Sequence, residues 1–372
     1  MSTPFTTRQS KLIAALQAAG LKAFVLNPGP SLTYLTGLHF HLSERPTALI
    51  MRADAPPIII LPELEAGKIA ELPYPLQPFT FNDDPQSWSR TYQRAVQAAG
   101  LEGGKVGVEP RQLRVLELRL LEAAAPNIVF IPAEEITAGL RMCKDASEIL
   151  AMRKAVAIAQ QAFEATLPHL RIGITERELA AELTLKLLRH GSDPAMPFSP
   201  IVACGPNSAN PHAFPTDRCI ARGDLLVVDW GATSEGYLSD LTRTLAIGEP
   251  EPELAQIAEI VLEANVAARA KAAPGVSAAA VDAAAREIIE RAGYGMFFTH
   301  RTGHGLGMEG HEEPYIRAGN SLILTPGMTF TIEPGIYLSG RGGVRIEDNM
   351  VVTEGGVESL SDLPRALCPL FR

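Results

Sequence analysis

Two stretches of this chain set pairs of acids inside runs of Val, Ile and Leu, and no other feature constrains the fold as strongly. The first is DLLVVDWGATSEGYLSDLTRTLAIG, residues 224–248. Its apolar runs flank a short loop around Ser234, Glu235 and Gly236, the pattern of a β-hairpin. A turn centred between Ser234 and Glu235 sets Asp229 opposite Asp240. The second is FTIEPGIYLSGRGGVRIEDNMVV, residues 330–352, with Gly340, Gly342 and Gly343 at its turn. Centred on Gly340, it sets Glu333 opposite Glu347. Opposed residues on one sheet face have Cβ atoms about 4.5–5.5 Å apart. Carboxylates that close in an apolar sheet repel unless one takes a proton or a cation sits between them. Two such hairpins make a cation the economical explanation.

A third element supplies nitrogen. Four of the eight histidines, His212, His300, His304 and His311, follow residue 200, three of them in THRTGHGLGMEGHEEP, residues 299–314. Gly303, Gly305 and Gly307 let backbone approach a ligand closely. Gly305, Gly307 and Gly310 also match G-x-G-x-x-G, but no strand is predicted before them and no helix after, so a dinucleotide loop is excluded. The spacing from His304 to His311 is not H-E-x-x-H. One histidine with four carboxylates is a hard, oxygen-rich set, suited to a pair of Mn, Co, Fe or Zn ions rather than to a structural zinc.

The rest of the chain frames these elements. With 372 residues, two domains are expected. Residues 8 to about 135 alternate strands (Lys22–Leu26, Thr47–Arg52, Pro57–Leu61, Gly103–Glu109, Ile128–Ile131) with helices (Arg8–Gly20, Arg111–Ala125), an α/β pattern. A division near Pro132–Ala146 gives domains 1–138 and 139–372. The second opens with a helix from Ala146 to Leu167, with Glu148, Arg153 and Lys154 facing out. A helix over Thr175–His190, Ala-rich helices over 254–272 and 277–292, and strands over Leu225–Gly231, Leu238–Ile247, Thr329–Tyr337 and Val344–Val352 complete an α+β pattern. The net charge of −9 without a basic run argues against nucleic acid or an anionic membrane as partner. No apolar run approaches membrane-spanning length. The first twenty residues read as an amphipathic helix rather than a signal peptide, which predicts a cytoplasmic protein. Cys143, Cys204, Cys219 and Cys368 are too scattered for a disulfide framework or a metal knuckle.

VVDWGATSEGYLSDLTRT, GHGLGMEGHEEP, MTFTIEPGIY and GVRIED, in this order, resemble the pita-bread metallopeptidases: Xaa-Pro dipeptidase (prolidase), aminopeptidase P, methionine aminopeptidase and the metal-free creatinase. The resemblance covers the C-terminal two-thirds. The first third is similar, more weakly, to the creatinase-type N-terminal domain, which in those families supports dimerisation and rims the cleft. It implies a homodimeric, Xaa-Pro-cleaving peptidase, acting on dipeptides or short peptides, with two divalent ions per chain, Mn2+ first and Co2+ or Zn2+ as alternatives. Asp229, Asp240, His304, Glu333 and Glu347 would hold the ions, Asp240 and Glu347 bridging both. Asp229 would serve one ion, His304 and Glu333 the other. A hydroxide between the ions would attack the scissile carbonyl, Glu333 would move the proton, His311 would steady the oxyanion and His212 would hold substrate. All five ligand positions carry metal-binding residue types, unlike creatinase.

Arg345, two residues before Glu347, shares its strand face. It either orients a carboxylate or binds the substrate's terminal carboxylate. Many prolidases carry Arg directly after His-Glu-x-Pro, gripping that carboxylate. Here the position is Tyr315, with Arg317 two further on, both candidate substrate contacts. That departure keeps aminopeptidase P-like action open. The alternative from the residues is a metal-dependent hydrolase or lyase of a non-peptide substrate on the same cage. A binding module that has lost activity is the third reading.

Overall fold

A computed structural model describes residues 3–367 and 369–371. The chain divides into two compact units, Met1–Arg141 and Met142–Arg372. Cys368 lies outside the described residues. Among the described residues no helix is long and apolar enough to cross a membrane.

The first unit is built on strands β1 (Ala23–Leu26), β2 (Ala48–Arg52), β3 (Ile58–Pro62), β4 (Gln77–Phe81), β5 (Gly104–Val108) and β6 (Ile128–Pro132), in the sheet order β4-β3-β2-β1-β5-β6. β1, β2 and β3 are continuous apolar runs, as strands covered on both faces should be. The helices are α1 (Pro4–Ala18), α2 (Pro30–Thr36), α3 (Gly67–Ala70), α4 (Gln86–Ala98), α5 (Val115–Ala124) and α6 (Glu134–Met142). α5 starts four residues later than expected, because Gln112 and Leu113 close a turn on the Glu109 carbonyl.

The second unit opens with α7 (Ala146–Thr166) and α8 (Glu176–Arg189). Asp145 and Thr175 cap them in reciprocal boxes with Glu148 and Glu178. Glu148, expected to face solvent, is buried: its other oxygen accepts from the Tyr237 hydroxyl at 2.7 Å. Strands β7 (Ile201–Cys204), β8 (Leu225–Trp230), β9 (Thr233–Ser234), β10 (Tyr237–Leu238) and β11 (Leu241–Ile247) follow, then α9 (Pro252–Lys271) and α10 (Ala278–Arg291). Next come β12 (Gly303–Gly305), β13 (Glu312–Ile316), β14 (Thr329–Ile332), β15 (Gly335–Leu338), β16 (Gly342–Arg345), β17 (Asp348–Thr353), β18 (Gly356–Ser359) and β19 (Pro369–Leu370). One sheet runs β19-β11-β8-β7 and another β13-β12-β14-β17-β18.

Strand periodicity sorts each sheet into a core face and an acid face. Leu226, Val228, Trp230 and Leu241 pack with α7 and α8, where the Trp230 ring stacks on Phe163 at 4.3 Å. Phe330, Ile332, Ile336, Val344, Ile346 and Met350 pack with α9 and α10. The residues between them, Asp229, Thr242, Glu333, Tyr337, Arg345 and Glu347, fall on the opposite faces.

The second hairpin keeps its expected register: Phe330 pairs with Met350, Ile332 with Asp348 and Gly335 with Arg345. Each predicted long strand is nevertheless broken, at 333–334 and 346–347, where Pro334 has no N–H for the ladder and Glu347 instead pairs with Thr242 of the other sheet. The first hairpin differs from expectation. Asp229 faces Thr242, not Asp240. The turn is centred on Glu235 and Gly236, both with positive φ (54° and 78°), as a type I′ hairpin turn requires. Asp240 stays on the right face because the shift in pairing is two residues, not one.

Candidate metal centre

The two hairpins meet through Thr242. Asp229 pairs with it from one side and Glu347 from the other. Its hydroxyl donates to Glu347 Oε2 at 2.7 Å and accepts from Arg345 Nε at 3.1 Å. Asp240 sits two residues back, with its N–H on Asn349 Oδ1 at 3.0 Å. β12 brings His304 in from below; its Nε2 lies 3.3 Å from Glu333 Oε1 and 3.7 Å from Asp240 Oδ2. The ligand atoms of Asp240, His304 and Glu347, all buried, lie within 4.8 Å of one another.

The electrostatics are those of carboxylates short of positive charge. Burial, then the neighbouring Glu347, Asp229 and Glu333, pushes the Asp240 carboxyl well above its ordinary range. Burial and the same crowding raise Glu347 strongly, and burial pushes Glu333 up to about 7. Asp229 is raised by burial against the pull of Arg345. Its Oδ2 accepts from Arg345 Nη2 at 2.6 Å, while its buried Oδ1 has no hydrogen-bond partner. Burial, then His311, holds His304 well below the imidazole range, so it is neutral. His304 Nδ1 lies 3.1 Å from the Gly305 carbonyl, which fixes the proton there and leaves the Nε2 lone pair facing the acids. An orphaned carboxylate oxygen, a bare imidazole nitrogen and crowded acids fit divalent cations well.

The structure brings Asp229, Asp240, His304, Glu333, Glu347 and Arg345 together. The His311 ring lies 4.0 Å from that of His304, and burial, then Arg301, lowers its pKa. His212 is exposed; the carbonyl of the preceding Pro211 accepts from Arg345 Nη1 at 3.2 Å. Arg345 therefore orients a carboxylate, and three further N–H groups of its guanidinium are taken by Thr242, Pro211 and Tyr337. Tyr315 is half-buried beneath Arg301, whose guanidinium carbon lies 4.4 Å from the ring centre. Arg317 is exposed, with its guanidinium on the Ala318 carbonyl and not on the cluster.

Sequence reasoning missed Thr242, Tyr337, Asn349 and any role for His300 and Arg301. The Tyr337 hydroxyl lies 2.9 Å from His300 Nε2 and accepts from Arg345 at 3.0 Å. Period two from Asp240 marks Thr242, and period two back from Arg345 and Glu333's strand marks Tyr337's face; Arg301 leaves no such signal.

The model of metallopeptidase family M24 matches residues 150–354, and that of the creatinase/prolidase N-terminal domain matches residues 8–143. A probable dipeptidase, PepE, of Mycobacterium tuberculosis is 39% identical over 374 residues, spanning 98% of this chain and 96% of its own. An Xaa-Pro dipeptidase of Lactobacillus helveticus is 35% identical over 346 residues, spanning 93% and 94%. The crystal structure of a recombinant prolidase from Thermococcus sibiricus superposes with a TM-score of 0.94 at 36% identity, covering 100% of both chains. The expected architecture, a creatinase-type domain before a pita-bread catalytic domain, is the one found. A metal-binding peptidase is what these motifs predicted, and the chain belongs to metallopeptidase family M24.

Proposed function

We propose that this protein hydrolyses the Xaa-Pro imide bond of dipeptides or short peptides, using two divalent ions held by Asp229, Asp240, His304, Glu333 and Glu347. The observation that carries it is the buried Asp240–His304–Glu347 cluster, with its unprotonated His304 Nε2 and the orphaned Asp229 oxygen beside it. The names borne by the relatives, dipeptidase, Xaa-Pro dipeptidase and prolidase, support the substrate class. Asp240 and Glu347 would serve both ions, Asp229 one of them, and His304 with Glu333 the other. When bound, two such ions supply Lewis acidity and lower the pKa of the attacking water so that it is a nucleophile near neutral pH.

The chain's own groups do the rest. Glu333 offers one oxygen toward His304, while the other, 4.0 Å from His300 Nδ1, moves a proton toward the leaving nitrogen. His311 donates to the developing oxyanion. His212, on the neighbouring loop, holds the substrate. Arg345 pairs with Asp229 and aims it. An imide nitrogen carries no N–H, so the site needs no acceptor for one. Manganese, a homodimer and the cytoplasm complete the reading.

A panel of Xaa-Pro dipeptides and longer Xaa-Pro peptides, assayed with Mn2+, Co2+ and Zn2+, tests it. Cleavage that needs an added ion and stops with chelator is expected. Failure to cleave any Xaa-Pro peptide with any of the three contradicts it and favours a non-peptide substrate.

A further inference from the structure

The mechanism leaves one deeply buried cation unused. Lys144 Nζ lies 2.5 Å from Glu312 Oε1, with the two side chains 1% and 4% exposed. The pair joins positions 168 residues apart in the chain. Taking two charges out of water costs more than their attraction returns unless the geometry is held closely. Here it is held from both ends. The Lys144 N–H donates to the Gly327 carbonyl at 2.8 Å, and Cys143 bridges to Met328. Glu312 opens β13 and pairs with Gly305 of β12.

Gly307 makes the pair possible. A Cβ there would lie 2.8 Å from Lys144 Cε and 2.8 Å from Glu312 Oε1. What this glycine admits is the Lys144 stem and the carboxylate it reaches. Gly305 plays a like part, since a Cβ on it would lie 2.2 Å from the Glu313 carbonyl oxygen. The chain is thus fixed immediately after His311. His311 itself is exposed; its ring meets the His304 ring at 4.0 Å and Arg301 Nη2 at 3.4 Å. Both contacts are long beside the 2.5 Å bond on the next residue.

We propose that the buried Lys144–Glu312 pair is a positioning element, which fixes the backbone that aims His311 at the oxyanion. The inference rests on the Xaa-Pro peptidase reading, in which His311 is that donor, and deepens it. A donor displaced by about 1 Å costs on the order of a hundredfold in rate, so a pair that touches no substrate can still govern kcat.

Lys144→Met combined with Glu312→Leu replaces the pair by apolar side chains and leaves no charge buried alone, so the fold is kept. In the metal-loaded full chain, acting on an Xaa-Pro dipeptide, this double variant should lower kcat by about 30-fold, with KM within about 3-fold of wild type and the metal content unchanged. His311→Ala should lose at least as much. Added to His311→Ala, the same replacement should cost less than about 3-fold more, because the groups act as one unit. Full kcat in the double variant overturns the proposal. So does an equal loss in both backgrounds, which would show the pair acting elsewhere than through His311. Gly307→Ala crowds the pair without removing a charge and serves if the double variant does not fold; its loss should likewise vanish in His311→Ala, and an undiminished loss there overturns the proposal. Hydrogen exchange reads the positioning without turnover. Amides over 306–312 should exchange about tenfold faster in the double variant, while β14 and β17 keep wild-type protection. Unchanged exchange over 306–312 overturns the proposal. If wild type cleaves no Xaa-Pro peptide while these amides do quicken, the catalytic reading fails and the positioning stands.

Discussion

Glu333 contributes to the pH dependence of the metal-free centre. Its carboxyl is pushed from 4.5 to about 7, first by burial. A carboxyl that holds its proton more tightly folded than unfolded adds stability below the unfolded pKa, and that contribution disappears as pH rises through the folded one. Without metal, Glu333 therefore weakens the fold between pH 4.5 and 7. Glu333→Gln removes the effect. In chelator-treated protein the variant should gain on wild type by about 3 kcal/mol across that window. Urea unfolding at pH 5 and pH 8 measures it, and a difference flat with pH contradicts it. Arg345 is the complementary case. An ammonium cannot span Asp229, Thr242, Tyr337 and the Pro211 carbonyl at once, so Arg345→Lys should destabilise the metal-free chain by about 2–4 kcal/mol. A midpoint equal to wild type would refute the network described here.

The loop carrying His212 is held at its root rather than by packing. Glu176, fully buried at the start of α8, accepts from Cys204 N at 2.7 Å, Asn207 Nδ2 at 3.1 Å, Thr216 N at 2.9 Å and Thr216 Oγ1 at 2.5 Å. Both ends of the loop thus close on one carboxylate. Its outer side borders a groove of about 560 Å3, with Phe214 80% exposed. Glu176→Gln turns an N–H toward these donors, so amide exchange over 205–216 should quicken about tenfold or more while β8 and β14 stay protected. Uniform exchange across all three would show that the carboxylate does not hold the loop. How much of these elements the sequence discloses depends on local symmetry. The glycine turn at 340 centres its hairpin, so the register from Thr329–Val351 to Leu338–Gly342 is legible. The Ser234-Glu235-Gly236 turn has no such centre, and only the positive φ of Glu235 picks out the pair that turns. Period two still delivered the acids to one face. Period two from Asp240 marks Thr242, whereas Arg301 shows itself only by lying over the Tyr315 ring, a contact that no local pattern encodes.

At the scale of the molecule, the proposed metal ligands all lie within the second unit, in the segments 225–247 and 303–353. A ligand that binds only the folded state stabilises what it binds, by about 2.7 kcal/mol at a hundred times its Kd. Mn2+ should therefore slow exchange in β8, β11, β14 and β17 and leave β1, β3 and β5 of the first unit unchanged. Equal protection of both units would mean that the ions bind elsewhere. The acidic balance of the whole chain is part of the same account. Four of the surplus carboxylates are assigned to the cage, so the net charge of −9 says less about external partners than its size implies.

The most direct test of the central claim counts ions. Purified protein equilibrated with Mn2+ and desalted should retain two equivalents per chain and cleave an Xaa-Pro dipeptide. Asp240→Asn or Glu347→Gln, each removing a proposed ligand oxygen, should retain one or none and lose activity by at least a hundredfold. Two retained equivalents with full metal-dependent activity in either variant would contradict the assignment of the cluster as the catalytic metal centre.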